Sequence, residues 1–100
     1  MRSKLNEKII CKDGFTMSVQ ANEGAYCEPR IDGAGRYTEV EVGYPSVREP
    51  LLIEWAEDKN NPTSTVYGYV PSERISLVCA KHGGIVSGQL PVGVAYIGVK

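Results

Sequence analysis

The chain has 100 residues and a formal net charge of −1, from 11 basic and 12 acidic side chains. This length fits one domain, residues 1–100, and leaves no room for a second. The balanced charge argues against a nucleic-acid surface. Apolar runs of only a few residues argue against a membrane span or a secretory signal peptide, so we expect a cytoplasmic protein.

The first predicted element is a β-hairpin over residues 8–21, preceded by a segment, residues 1–7, that we expect to be flexible. The Asp13-Gly14 pair tolerates the positive φ that a tight hairpin turn requires. In the second arm, apolar residues alternate with polar ones at the period of a strand with one solvated face. These apolar residues are Phe15, Met17, Val19 and Ala21.

The next segment, residues 22–36, is rich in glycine and is long for a loop in so small a domain. Loops of this length tend to be functional or mobile. A third strand is predicted at residues 37–44, where Val40 and Val42 alternate with Glu39 and Glu41.

Residues 51–58 allow two interpretations. Leu51, Leu52 and Trp55 fit one face of a short helix, whereas Leu51, Ile53 and Trp55 fit one face of a strand. We favour a strand, because Pro50 precedes the segment and the loop after it leads into the clear β pattern of residues 65–70.

A helix is predicted to begin at Pro71 and end at His82. Proline is well tolerated at the first helical position, Glu73 lies near the positive end of the helix dipole, and Gly83-Gly84 supplies a left-handed stop. An apolar stripe at helical spacing predicts that this helix packs on the sheet. The stripe comprises Ile75, Leu77, Val78, Cys79 and His82. The predicted fold is therefore α+β: an antiparallel sheet of four to five strands with one helix on one face.

Residues 85–100 read as an extended tail or strand with apolar side chains on both of its faces. Such a strand is covered on both sides, either by the rest of the domain or by a second copy of the chain. We therefore expect a homo-oligomer in which this tail contributes to the interface.

The reactive side chains form no recognisable metal or catalytic motif. One histidine and three unpaired cysteines, Cys11, Cys27 and Cys79, lack the spacing of a zinc site, so no metal and no cofactor is predicted. The cysteines are interpreted as buried, reduced thiols, with an intermolecular disulfide as the alternative. Cys79 and His82 share a helix face where packing explains both, so no catalytic residue is predicted.

Tyrosines and arginines near the long loop give the candidate binding site. Tyrosine and arginine together can stack on a base and hold a phosphate, or anchor a protein interface. The alternative interpretation is cross-strand aromatic packing with solvated arginines. The candidate residues are Tyr26, Arg30, Arg36, Tyr37, Tyr67, Tyr69 and Arg74. Residues 32–36 are interpreted as a surface turn in preference to a glycine-rich phosphate nest.

Four strings, IICKDGFTMSVQA, YCEPR, YTEVEVGYPS and TVYGYVPSERISLVCAKHGG, resemble a group of small proteins encoded by bacteriophages and prophages. The resemblance spans residues 8–84. It implies a phage accessory role, which for small proteins is often inhibition of host defence, and it carries over no catalytic residue.

The leading hypothesis is a non-enzymatic protein that acts by binding, either sequestering a small nucleotide signal or occluding a host defence protein. The first alternative is a structural or assembly protein that forms a homo-oligomer and binds no ligand. The second is an enzyme that uses Cys79 or His82.

Overall fold

The computed structural model describes residues 5–99. It contains a five-stranded antiparallel sheet in the order β4-β3-β2-β1-β5, one α-helix and one turn of 3₁₀ helix. The strands are β1 (Ile9–Cys11), β2 (Thr16–Gln20), β3 (Glu39–Gly43), β4 (Val66–Pro71) and β5 (Ile85–Ser87), the helix is α1 (Ser72–Lys81), and the 3₁₀ turn is Ile53–Trp55. The predicted α+β fold with one helix on an antiparallel sheet is confirmed.

The first two strands form the predicted hairpin, with Ile9 opposite Met17. Gly14 has the positive φ of the turn, +93°, and the Asp13 carboxylate accepts the N–H of Phe15 at 2.9 Å. Buried and half-exposed residues alternate along β2 and through most of β3. The buried set of the strands therefore lies on one side of the sheet, and the helix α1 covers it.

The helix α1 begins one residue after the predicted start and ends one residue before the predicted end. Pro71 and His82 are its flanking residues. Its buried side chains Ile75, Val78 and Cys79 join the strand residues in one core. Within residues 5–99, no helix is long and apolar enough to cross a membrane.

The prediction of a strand at residues 51–58 is wrong. Hydrogen bonds from the Leu52 N–H to the Glu49 carbonyl and from the Trp55 N–H to the Leu52 carbonyl, both 3.0 Å, form the 3₁₀ turn instead. Only Ala56 makes a β-bridge, opposite Tyr67 at the outer edge of β4. The 3₁₀ turn places Trp55 at the edge of the sheet. A strand in this segment would instead have added to the sheet.

The tail returns to the domain after β5. Of the predicted extended tail or strand, residues 85–100, only Ile85–Ser87 is a strand, and the rest of the described tail makes one β-bridge, between Gly98 and Ile85. The Val92 carbonyl accepts the Tyr37 N–H at 2.8 Å, and the Ala95 carbonyl accepts the Ser76 hydroxyl at 3.2 Å. The described tail therefore packs on its own chain, where Ile85 and Val94 are buried, but Val86, Val92, Tyr96 and Val99 remain exposed. The homo-oligomer remains a prediction.

The predicted flexible start, residues 1–7, lies partly outside the described residues. Within them, the Asn6 N–H donates to the Gln20 amide oxygen at 2.8 Å, and the Glu7 N–H donates to the Gln89 amide oxygen at 2.9 Å. Residues 6 and 7 are therefore attached both to β2 and to the tail.

Candidate functional site

The long loop brings Tyr26 over the outer strand β4. Its ring centroid lies 6.0 Å from that of Tyr69. Two backbone hydrogen bonds fix this position, because the Tyr26 N–H donates to a carboxylate oxygen of Glu41 at 3.2 Å and the Tyr26 carbonyl accepts the Tyr69 N–H at 2.9 Å. Gly68 allows the close approach, since a Cβ at this position would lie 3.2 Å from the Cβ of Tyr26.

A β-bulge in β4 directs Tyr69 outward. Val40 pairs with Val70 and Val42 with Tyr67, so Gly68 and Tyr69 together oppose the single residue Glu41. Tyr69 has a φ of +56°, a left-handed conformation that is uncommon for a residue with a side chain. The bulge turns the Tyr69 N–H toward the loop and leaves the residue 43% exposed.

Two arginines pack on aromatic rings beside this bulge. The Arg30 guanidinium carbon lies 5.0 Å from the centroid of the Tyr26 ring, and that of Arg74 lies 5.3 Å from the Trp55 ring. Both distances suit cation–π contacts. Neither guanidinium forms an ion pair with another residue of the described chain. Their fork of N–H donors is therefore available to an anion.

Tyr26, Arg30, Trp55, Tyr69 and Arg74 form a surface that we call the aromatic–arginine face. A recess of about 300 Å³ lies within it, lined by Tyr26, Trp55, Ala56, Glu57, Gly68 and Tyr69. This volume is at the lower end of the range for small-molecule sites. The recess can therefore hold a single planar ring system, with the rest of a ligand outside it near the arginines.

Of the seven predicted site residues, four belong to this face: Tyr26, Arg30, Tyr69 and Arg74. Three do not, and their assignment to the site is corrected. Tyr67 is fully buried and its hydroxyl donates to the Pro62 carbonyl at 2.6 Å. Tyr37 is buried with its hydroxyl donating to the Ile31 carbonyl at 2.8 Å. Arg36 is exposed on the far part of the loop, with its side chain beside Gly93 of the tail.

Trp55 and Glu57 lie at the face but were not predicted as site residues. The only tryptophan, set in a segment of unclear structure and followed by carboxylates, was the available signal. Trp55 reaches the aromatic–arginine face only through the 3₁₀ turn, which places it beside the edge of β4.

A second cluster surrounds His82 at the end of α1. Its Nδ1 lies 2.6 Å from Oδ2 of Asp13, and its Nε2 lies 2.7 Å from Oε1 of Glu49. The Phe15 ring stacks on the imidazole, with centroids 4.1 Å apart and planes 12° from parallel. Lys81 completes the cluster, with its Nζ 3.0 Å from the second carboxylate oxygen of Glu49.

The charges of this cluster indicate a structural role, in which Asp13 and Glu49 hold the end of α1 in place through His82 and Lys81. Burial raises the pKa of Glu49, but the Leu51 N–H, His82 and Lys81 together outweigh burial and hold that pKa below its ordinary value. The Phe15 N–H and His82 lower the pKa of Asp13. Carboxylate oxygens lie within hydrogen-bonding distance of both ring nitrogens of His82, so both nitrogens have partners within the chain.

The three cysteines are free and buried, as predicted. Burial raises the pKa of each thiol, to about 12 for Cys79, which neighbours Cys11. Since the thiolate is the reactive species, we expect none of the three thiols to react with Ellman's reagent in the folded protein and all three to react in guanidinium chloride. Rapid labelling of one thiol under native conditions would contradict this burial.

A larger recess of about 640 Å³ lies on the open face of the sheet. Its lining includes Glu23 and Glu41, and Glu41 is already bonded to the Tyr26 N–H. The described lining holds no lysine or arginine, so this recess offers no cation to the phosphate of a nucleotide. Among residues 5–99, no group of three or more histidine, cysteine or carboxylate side chains is placed to hold a metal ion.

No protein-family model, curated protein or solved structure matches the chain. Function is therefore inferred from the contacts of the aromatic–arginine face.

Proposed function

We propose that this protein is a non-enzymatic binding protein whose aromatic–arginine face takes up a small nucleotide. One observation carries the proposal: two guanidinium groups without ion-pair partners in the described chain each pack on an aromatic ring at the rim of one recess. The engaged state of both His82 nitrogens supports a non-enzymatic role.

The chemistry of the face matches the two ends of a nucleotide. Stacking of a base on an aromatic side chain contributes about 1–3 kcal/mol and tolerates any base. Tyr26, Trp55 and Tyr69 surround a recess wide enough for one base. Arg30 and Arg74 lie on the aromatic rings that line this recess, where a phosphate attached to the base can accept their N–H groups.

Sequestration of a nucleotide signal in the host cytoplasm is the role we propose, in line with the resemblance to phage accessory proteins. Occlusion of a host defence protein is the competing use of the same face. Exposed aromatic residues and arginines also anchor protein interfaces. A recess sized for one ring, lined by the two aromatic rings on which unpaired arginines pack, favours the nucleotide.

We expect calorimetric titration of the full chain with mononucleotides, cyclic nucleotides and ADP-ribose-type compounds to show binding. Replacing both arginines, R30Q with R74Q, should weaken binding about 100-fold, because each charge-assisted contact is worth about tenfold in affinity. The double variant should fold as the wild type does, since Arg30 is exposed, Arg74 is only half-buried, and neither has an ion-pair partner in the described chain.

The matched control for R30Q is R36Q, which removes one positive charge from the same loop but lies outside the face. Its affinity should stay within about twofold of wild type. If R36Q lost as much affinity as the R30Q and R74Q double variant, the effect would be one of net charge and not of contacts in the face. Absence of binding across the whole panel would overturn the nucleotide proposal and favour occlusion of a protein.

A further inference from the structure

We propose that the recess selects a guanine base and that the Glu57 carboxylate recognises this base by hydrogen bonding. This inference rests on the proposed nucleotide function and adds the identity of the base. Glu57 is the acidic residue that lines the recess, next to the rings of Trp55 and Tyr69. Stacking does not discriminate between bases, so a polar group at the recess wall decides specificity.

The backbone of Glu57 is fixed to the edge of the sheet. Its N–H donates to the Val66 carbonyl at 3.0 Å, next to the bridge between Ala56 and Tyr67. Its carboxylate therefore extends from a rigid edge, as a group that recognises a ligand requires.

The carboxylate of Glu57 is also unpaired in the described chain. No ion pair or side-chain hydrogen bond engages it. Lys59, the nearest cation in the sequence, donates to the backbone carbonyls of Glu54 and Ala56 at 3.3 and 3.5 Å. An exposed carboxylate beside aromatic rings has its acceptor oxygens available to a bound base.

The acceptor character of a carboxylate favours guanine. An ionised carboxylate only accepts hydrogen bonds. The Watson–Crick edge of guanine presents two adjacent donors, N1–H and the N2 amino group, which together match both carboxylate oxygens. Adenine presents a donor at N6 beside an acceptor at N1, which faces the second oxygen unfavourably. Hypoxanthine keeps N1–H but lacks the amino group, so it should form one bond where guanine forms two.

The test uses three nucleotides with the same phosphate and ribose: 5′-GMP, 5′-IMP and 5′-AMP, titrated into the full chain. We expect GMP to bind about tenfold more tightly than IMP and more tightly still than AMP, since one charge-assisted hydrogen bond at an exposed site is worth about tenfold. This comparison needs no mutation, so a variant that fails to fold does not affect it.

The variant E57Q then tests the residue itself. Glutamine offers one donor and one acceptor, which suits adenine. We expect GMP affinity to fall about tenfold and AMP affinity to rise, while the control E54Q, in the neighbouring 3₁₀ turn but outside the recess, changes neither.

The outcomes separate the two proposals. Equal affinities of the wild type for the three nucleotides would overturn guanine selection and leave nucleotide binding in place. An unchanged preference in E57Q would overturn the role of Glu57. Absence of binding by all three, and by the wider panel of nucleotides, would overturn the proposed function itself.

Discussion

Glu49→Ala is expected to lower the free energy of unfolding by about 3 kcal/mol, a large part of the 5–15 kcal/mol typical of a domain. The Glu49 side chain is 1% exposed and holds His82, Lys81 and the Leu51 N–H together. Removing it leaves the buried Nε2 of His82 without a partner. The loss should stay near the lower end of the range for buried pairs because His82 retains Asp13 and Lys81 is 45% exposed. Urea unfolding followed by the fluorescence of Trp55 measures it.

The variant Glu49→Gln separates charge from packing. Because the pKa of Glu49 is lowered in the folded state, its charge stabilises the fold above the ordinary value of 4.5 and loses this effect as pH falls through the lowered value. Wild-type stability should therefore decline below about pH 4.5, and Glu49→Gln should show a shallower decline. The control Glu54→Gln, at an exposed position, should keep the full decline and stay within about 0.5 kcal/mol at pH 7. Identical pH profiles for wild type and Glu49→Gln would contradict a stabilising role of the Glu49 charge.

Local signals in the sequence were sufficient for the hairpin and the helix. Asp13-Gly14 dictates a tight turn, and Pro71 and Gly83-Gly84 bound the helix, so both elements follow from conformational preference alone. Residues 51–58 could not be assigned in this way, because their apolar residues fit either period. The side chain of Glu49, which accepts the Leu51 N–H at 2.8 Å, lies at the start of this turn, and its burial depends on the distant His82.

Two tyrosines show why the site was predicted only in part. Tyr67 and Tyr69 are two residues apart, and a regular strand would place both on one face. The bulge at Gly68 breaks this period, so Tyr67 stays in the core while Tyr69 reaches the surface. A glycine inside a strand is a known signal for a bulge, but the sequence does not say which neighbour changes face. The approach of Trp55 depends on tertiary structure and had no comparable signal.

Gly88→Ala is expected to lower the free energy of unfolding by about 3 kcal/mol, as the sum of backbone strain and overpacking. Gly88 follows β5, has a φ of +115° and lies against the start of β1. An added Cβ would contact the Lys8 carbonyl oxygen and lie 2.7 Å from the Ile9 Cα. Backbone atoms cannot move aside as a flexible side chain can, so the tail must shift away from β1.

Alanine variants of two other glycines separate the contribution of backbone strain from that of overpacking. Gly33 has a φ of +67° with open space at the Cβ position, so Gly33→Ala carries backbone strain alone and should lose about 1 kcal/mol. Gly35 has neither feature, and Gly35→Ala should be neutral or slightly stabilising, by about 0.5 kcal/mol. Thermal and urea unfolding of the three variants would test the order Gly88, Gly33, Gly35. If Gly88→Ala were as stable as Gly35→Ala, the tail would not pack on β1, and its apolar residues would be available to a second copy of the chain.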